Sequence, residues 1–440
     1  MKSLGKSAAL FLIISSPLTL LISGARPAPQ QTRVQRIPDP DREVRLLLVQ
    51  GQSALDKKDY ATAADLFRKY LARKPNDAFA HFQLGYVCTA LEHLDEARDE
   101  YRKAASLDPG MAAAHLNLGL VLLDKDPAAA VEPLRKAAEL LPDQARPHFL
   151  LGWALERTNQ LDEAIREYEQ AEKLDAKTFD IHFSLARALL ASNRAPEAET
   201  EFHAALAFKP DSSPAHLGLA ESLIAQKKPG PAAEELSKYL SQHPEDSASR
   251  VQLASLLFDA GKADEALAQL EQAAAAGPEP LAALKLRAEI ATRQKKYDAA
   301  AAALQKALTL APHDEDLRAR LGHALLESRD YQGALRELTE ALRANPQDID
   351  ILRDWMAAQY LSGNFEAALA ALDLLAKRET PTDRTWYVRA TCYDKLGRKA
   401  DALEAYQKFL SLHASTDDDD YFLATARVRT LARELKEKKK

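Results

Sequence analysis

Apolar residues along this chain return every three or four positions within segments of about a dozen residues, which is the spacing of amphipathic helices. In residues 78–111, two such segments flank a tight turn at His93–Asp95, and Pro109 ends the second segment. This stretch predicts two short helices joined as a hairpin. Because one hairpin cannot bury its own apolar faces, it needs a neighbour on each side.

A small residue in the second predicted helix marks a longer period. With Ala78 as position 1, Ala97 is position 20, and an alanine recurs there in eleven copies; nine of the ten intervals are 34 residues and one is 33. Position 8 is Gly or Ala in ten copies, and position 24 is Phe, Tyr or Leu in all of them, so we expect close helix contact beside a large side chain. The pattern predicts an array of eleven hairpins, numbered here repeats 1 to 11. They start at Val44, Ala78, Ala112, Ala145, Phe179, Ser213, Ser247, Leu281, Glu315, Ile349 and Asp383.

This period, with its Leu-Gly, Ala, aromatic and Pro positions, resembles the tetratricopeptide repeat. The resemblance implies an all-α fold, a right-handed α-solenoid (superhelix) of tandem helix-turn-helix repeats. Repeat 3 departs from the pattern because it lacks one residue in its inter-helix turn at Lys125–Pro127. Repeat 10 departs by placing Trp355 and Met356 where Leu and Gly are usual.

The two ends of the chain lie outside the repeats. Residues 1–25 read as a secretory signal, with Lys2 and Lys6 before an apolar run of about 15 residues and a small-residue cleavage site ending at Ala25. That run is shorter than the roughly 20 residues that span a bilayer. We therefore expect export to the periplasm or exterior, with an uncleaved N-terminal anchor as the alternative and no transmembrane span in the mature chain.

The remaining segments complete the predicted organisation. Residues 26–42 are rich in proline and predict a disordered leader, and residues 43–416 hold the eleven repeats. Residues 417–440 predict a C-terminal capping helix, because acids at its start and lysines at its end complement the helix dipole.

Charge and cysteine content narrow the function only slightly. The net charge is −6 and no basic stripe follows the repeats, so we expect no nucleic-acid partner. Cys88 and Cys392 lie at inward-facing positions nine repeats apart, which predicts buried thiols rather than an internal disulfide.

No catalytic or cofactor-binding motif occurs in the sequence, so we expect a protein that is not an enzyme and that carries no cofactor. Position 4 is nonetheless histidine in five successive repeats. Equivalent helices should lie about 10 Å apart, whereas two nitrogens on one zinc lie about 3.3 Å apart. Adjacent histidines could not share an ion, so packed interfacial histidines are expected and no metal; a pH-sensitive stack is the lesser alternative. The five are His81, His115, His148, His182 and His216.

A binding surface is the better candidate for function. On a helical wheel, positions 2, 5, 9, 12 and 13 lie about 140° from the core positions of the first helix, and the resemblance implies that they line a concave groove. This groove would be apolar and aromatic in repeats 2 to 6 and charged in repeats 8 to 11. The candidate partner-binding residues are Phe79, Phe82, Tyr86, Leu116, Leu120, Phe149, Trp153, Phe183, Arg187 and Leu217. The charged half would contain Lys285, Glu289, Arg293, Asp316, His323, Glu327, Asp350, Arg353, Arg384, Asp394 and Lys395.

Two functions fit this surface. The first is an exported scaffold that binds a protein or peptide segment, since clustered aromatic side chains are typical interface anchors. The alternative is a periplasmic guide for a polysaccharide in an export or envelope-assembly machine. For any one aromatic residue, packing between repeats remains the simpler interpretation. For the charged half of the groove, the simpler interpretation is a face exposed to solvent.

Overall fold

The computed structural model describes residues 41–437. The predicted signal peptide of residues 1–25, and the predicted leader as far as residue 40, lie outside the described residues. Within residues 41–437 every regular element is a helix and no strand occurs. The predicted fold class, an all-α solenoid of helical repeats, is confirmed.

The described chain divides into two compact units after Tyr239, inside the twelfth helix. Helices up to that point are α1 (Arg42–Asp56), α2 (Tyr60–Leu71), α3 (Ala78–Ala90), α4 (Leu94–Leu107), α5 (Ala112–Leu123), α6 (Pro127–Leu140), α7 (Ala145–Arg157), α8 (Leu161–Leu174), α9 (Phe179–Ala191), α10 (Ala195–Phe208), α11 (Ser213–Ala225) and α12 (Pro229–Gln242). The second unit continues with α13 (Ser247–Asp259), α14 (Ala263–Ala276), α15 (Leu281–Arg293), α16 (Tyr297–Leu310), α17 (Glu315–Glu327), α18 (Tyr331–Ala344), α19 (Ile349–Leu361), α20 (Phe365–Leu375), α21 (Asp383–Lys395), α22 (Lys399–Leu412) and α23 (Asp419–Glu437).

Within each unit the helices pack in chain order. From α1–α2 to α9–α10, and from α13–α14 to α21–α22, each odd-numbered helix packs against the even-numbered helix that follows it. Successive odd-numbered helices also contact each other, such as α5 with α7 and α17 with α19, whereas even-numbered helices of the same unit make less contact with one another. The odd-numbered first helices therefore form the inner side of each unit.

The contact between the two helices of a hairpin depends on the small residue at position 8. A methyl group placed on Gly85 would lie 2.8 Å from Cδ1 of Tyr101, and one on Gly152 would lie 2.8 Å from Cδ1 of Tyr168. Both rings occupy position 24 and are fully buried. The space that a side chain would take at position 8 is thus filled by the large residue at position 24, as the sequence pattern indicated.

In ten of the eleven hairpins, the residue at position 15 adopts a left-handed backbone conformation and closes the turn. The N–H of position 16 then donates to the carbonyl of position 11; for example, His93 N–H donates to Cys88 O over 2.8 Å. Repeat 3 lacks this residue: its α5 is one residue shorter, and Asp126 N–H donates instead to Leu122 O, four residues earlier. The shortened turn therefore removes the left-handed position itself. Position 15 is Lys58, Glu92, Asn159, Asn193, Lys227, Gly261, Lys295, Arg329, Gly363 and Gly397 in the other repeats, with φ between 58° and 82°.

Both cysteines are free and buried, as predicted from their positions. Burial raises the pKa of the Cys88 thiol to about 12 and that of the Cys392 thiol to about 11. Neither residue has the thiolate character that reactive cysteines need.

The last helix, α23, packs on α22 through Ala424 and Leu431, which join Tyr406 and Phe409 in one apolar cluster. Its Phe422 and Leu423 are exposed. Over the part of the chain that the structure describes, no helix combines the length and apolarity needed to cross a bilayer.

Candidate partner-binding faces

Seven of the ten candidate residues reach the surface of the first unit. Tyr86, Leu120 and Trp153 occupy position 9 of α3, α5 and α7, and all three are half-buried. Phe79 and Arg187 are exposed, and Phe149 and Leu217 are half-buried. The inner side of this unit thus presents large apolar side chains that remain accessible.

The other three candidates are corrected by the structure. Phe82, Leu116 and Phe183 are only 4%, 0% and 6% exposed, so they belong to the core and cannot bind a partner. They occupy position 5, and the ring of Phe82 lies 5.8 Å from that of Tyr101 at position 24 of the same hairpin. A helical wheel assigns position 5 to the groove, but in these three repeats its side chain is buried in the hairpin. Phe149 and Leu217, at the same position of repeats 4 and 6, stay half-buried.

Arg187 already has a partner inside the first unit. Its guanidinium Nη2 donates to Oε1 of Glu156 on the preceding first helix over 2.6 Å, so the pair bridges α7 and α9. Oε2 of Glu156 accepts a hydrogen bond from the Tyr168 hydroxyl over 2.8 Å. Arg187 therefore joins α7 to α9 while its side chain stays exposed.

The position-4 histidines form a recurring clasp between helices and repeats. His182 Nδ1 lies 2.7 Å from Oε2 of Glu201, which is position 23 of the same repeat, and its Nε2–H donates over 2.9 Å to the carbonyl of Ala176, position 32 of the preceding repeat. His81 and His216 make the same two contacts. In the second unit Arg318 plays this part, binding Glu337 and the Pro312 carbonyl.

These histidines are interfacial, as expected, but their acidic partners were missed. The signal in the sequence was a glutamate 19 residues after the histidine in repeats 2, 4, 5 and 6. In repeat 3 the shortened turn brings Pro133 to that position, so His115 has only the Pro109 carbonyl, and burial lowers its pKa. Burial also opposes the charge on His182, but the hydrogen bonds to Glu201 and to the Ala176 carbonyl outweigh it and raise its pKa.

The second unit has an acidic pocket on its inner side. A cavity of about 580 Å³ is lined mainly by residues of α15, α17 and α19, and Leu304, Ala341 and Asn345 complete the lining together with Asp348. His323 Nδ1 lies 2.9 Å from Oδ2 of Asp354, and this hydrogen bond raises the pKa of His323. The acidic residues that line the cavity are Glu289, Glu315, Asp316, Asp348, Asp350 and Asp354.

Three of these six acids, Glu289, Asp316 and Asp350, lie at positions that the sequence predicts to line the groove. Glu315, Asp348 and Asp354 occupy positions 1, 34 and 6 of their repeats, which the helical wheel does not assign to the groove. Glu315 and Asp348 belong to repeat 9 and Asp354 to repeat 10, so these acids come together only when successive hairpins stack. Cations in the lining are fewer: Arg320 pairs with Asp316 over 2.8 Å.

Family models described as tetratricopeptide repeat match this chain over most of its length. They match residues 25–78, 48–111, 82–145, 125–181, 149–213, 251–315, 189–248, 325–390 and 383–415. Tetratricopeptide repeat-containing protein trd-1 of Caenorhabditis elegans is 32% identical over 120 residues, which are 27% of this chain and 15% of that protein. The chain thus matches only a small part of this relative.

Three solved structures illustrate what this chain is similar to. YrrB, described as a TPR protein with an unusual peptide-binding site, is 22% identical with a TM-score of 0.40 and covers 42% of this chain and 97% of its own. MamA from Desulfovibrio magneticus RS-1 is 22% identical with a TM-score of 0.36, covering 39% and 97%. PilF of Pseudomonas aeruginosa is 24% identical with a TM-score of 0.38, covering 53% and 98%.

Proposed function

The chain belongs to the tetratricopeptide repeat family, and from this premise we propose that it is an exported scaffold whose first helices bind a segment of another protein. The family typically acts by binding rather than by catalysis. The observation that carries the proposal is the row of Tyr86, Leu120 and Trp153, which occupy one position in three successive hairpins and keep part of their apolar surface accessible. Aromatic side chains held in this way are the usual anchors of protein interfaces.

The acidic pocket of the second unit suggests the charge of the segment that it would accept. Six carboxylates line the cavity, and Arg320 and His323 are the basic residues of its lining. Arg293, Arg318 and Arg353 pair with Glu289, Glu315 and Asp350 from outside the lining, so the excess of acidic groups is small. A lysine or arginine side chain entering this cavity would gain charge-assisted hydrogen bonds, and an acidic one would be repelled. A segment that binds the second unit is therefore expected to be basic.

Export rests on residues 1–25. Intact-mass analysis of the protein recovered from its native host tests it: a cleaved signal gives a chain that starts at Arg26. A chain that retains Met1 in a membrane fraction would favour the tethered alternative.

Binding is tested with a defined probe. A phage library of random peptides is selected on the purified chain, and an enriched peptide is synthesised. Replacing Trp355 and Trp386 by phenylalanine leaves Trp153 as the only tryptophan, so its emission reports on binding at the first unit. We expect a saturable change with the peptide and at least a tenfold loss of affinity in Tyr86→Ala/Trp153→Ala, followed by peptide fluorescence anisotropy.

The matched control is Phe422→Ala/Leu423→Ala, which removes exposed apolar side chains from α23. It should bind as the parent does. Unchanged affinity in Tyr86→Ala/Trp153→Ala would remove the proposed site. If oligosaccharides quench Trp153 and no peptide is selected, the polysaccharide function replaces the peptide function.

A further inference from the structure

Three side chains from adjacent hairpins converge at the junction of repeats 4 and 5. They are Glu172 on α8, His182 on α9 and Glu201 on α10. His182 Nδ1 lies 2.7 Å from Oε2 of Glu201 and 3.8 Å from Oε1 of Glu172, and the ligand atoms all lie within 4.8 Å of one another. His182 and Glu201 form the clasp of repeat 5, and Glu172 is a third group that the clasps of the other repeats lack.

Glu172 breaks the pattern of its own array. It is position 28 of repeat 4, the repeat that precedes the His182 clasp. The corresponding residue before each of the other four histidines is apolar, so the clasp itself needs no acid there. The four residues are Leu71, Ala105, Ala138 and Leu206.

The second acid also carries an electrostatic cost. The ligand oxygens of Glu172 and Glu201 lie within 4.8 Å of each other, so two carboxylates share this junction. The imidazole of His182 lies 3.8 Å from the Glu172 carboxylate and forms an ion pair with it only when the ring is protonated. A carboxylate placed beside a second carboxylate in a partly enclosed site is destabilising unless a cation compensates it.

The ring of His182 is held in a fixed orientation. Its Nε2–H must donate to the Ala176 carbonyl, which can only accept, and the ring stacks on Phe208 with centroids 5.9 Å apart. Nδ1 is therefore directed at the two carboxylates. In the neutral imidazole this atom carries a lone pair, and the arrangement, with the other nitrogen bonded to a carbonyl, is that of a metal-ligating histidine.

We propose that Glu172, His182 and Glu201 bind a divalent transition-metal ion of the zinc class. One nitrogen and two carboxylate oxygens suit such an ion, whereas imidazole is a poor ligand for calcium or magnesium. The present nitrogen–oxygen distances, 2.7 Å and 3.8 Å, lie on either side of the ~3.3 Å expected between ligands of a tetrahedral zinc. Small side-chain adjustments would admit the ion, and a fourth position is left for water.

A divalent ion would take the place of the proton between His182 Nδ1 and Glu201 Oε2, and it would cancel more of the local charge than that proton does. With a neutral imidazole the three groups carry the charge of two carboxylates; a proton on His182 cancels one of them, and a divalent ion cancels both. The Glu172 side chain is 30% exposed and that of Glu201 is 16% exposed, so an ion can enter from solvent. This site differs from a ladder of histidines because all its ligands come from one junction.

The test uses the full chain without a histidine tag, freed of metal and then equilibrated with zinc before gel filtration and elemental analysis. We expect about one zinc per chain. With cobalt in place of zinc, we expect the electronic absorption band of an ion with a low coordination number. Glu172→Leu carries the residue found beside two of the other histidines, so it should fold, and we expect its zinc affinity to fall at least tenfold. Should it fail to fold, Glu172→Gln is the second variant.

A gain-of-function variant provides the matched control. Leu206→Glu places an acid beside the His216–Glu235 clasp in the geometry of Glu172, and we expect it to bind a second zinc. Zinc should raise the melting temperature of the parent but not that of Glu172→Leu. Equal zinc content in the parent and Glu172→Leu, or no zinc in the parent, would overturn the proposal; both results are independent of peptide binding.

Discussion

At the scale of single residues, the left-handed position in each turn shows where the chain accepts local strain. Three repeats place glycine there, and seven place a residue with a side chain, including Lys295 with φ of 58°. A side chain in this conformation costs about 1–2 kcal/mol, although asparagine tolerates it better. The turn is thus imposed by the packing of the hairpin and not by the residue that occupies it.

Lys295→Gly should therefore stabilise the protein. Relief of the left-handed strain exceeds the added backbone entropy of glycine, and we expect the free energy of unfolding to rise by about 0.5–1 kcal/mol. Gly261→Ala, at the same position of repeat 7, should lower it by about 1 kcal/mol. Urea denaturation measures both, and equal stability of the two variants would contradict the interpretation.

The pH response of His323 follows from its neighbour Asp354. The hydrogen bond to that carboxylate raises the pKa of His323 above the ordinary value of 6.5. This interaction stabilises the folded chain at pH values below the unfolded pKa of histidine, and the contribution is lost as pH rises through the folded pKa. An NMR titration should place His323 above 6.5, and Asp354→Asn should lower its pKa; an unchanged value in the variant would refute the pairing.

At the scale of helices, the sequence predicted the hairpins because their contacts are local and repeated. A glycine at position 8 and a large residue at position 24 recur in phase, and the structure packs Gly152 against Tyr168. The faces of the helices were harder to assign. Phe82 and Tyr86 are neighbours on the wheel, yet Phe82 is buried against Tyr101 while Tyr86 stays half-buried. The wheel of one isolated helix does not show this difference because it omits the helix that packs against it.

Gly152→Ala tests the hairpin contact directly. The added methyl group would lie 2.8 Å from Tyr168 and 3.2 Å from the Ala164 carbonyl, so ring or backbone must shift. We expect the free energy of unfolding to fall by about 1–3 kcal/mol. The control Gly230→Ala adds a methyl group with no atom within 4 Å, and calorimetry should show little change. Equal melting temperatures for the parent and Gly152→Ala would contradict the contact.

At the scale of the whole molecule, each of the two units is an array in which helices contact their neighbours along the sequence. Helix α7 packs against α6 and α8, and more weakly against α5 and α9. In such arrays stability is approximately a sum of repeat and nearest-neighbour terms. The acidic pocket could not be predicted from one repeat because its lining depends on three.

The effect of a destabilising substitution should remain local for the same reason. In Gly152→Ala, we expect faster hydrogen exchange of backbone amides in α6 to α9. Exchange in α15 to α19 should stay as in the parent, because opening of one hairpin does not require opening of distant ones. Mass spectrometry of exchanged peptides measures this, and uniform acceleration along the chain would contradict it.

The clasp at position 4 has a consequence for how such a chain can change over generations. His81 and His216 bind the carbonyl of a proline, while His182 binds that of Ala176, so the junction is indifferent to the side chain that precedes it. Because the histidine of one repeat binds a main-chain carbonyl of the preceding repeat, this hydrogen bond does not depend on the amino acid at that position. Gene duplication or loss of a copy can therefore lengthen or shorten the array without a compensating substitution at this bond.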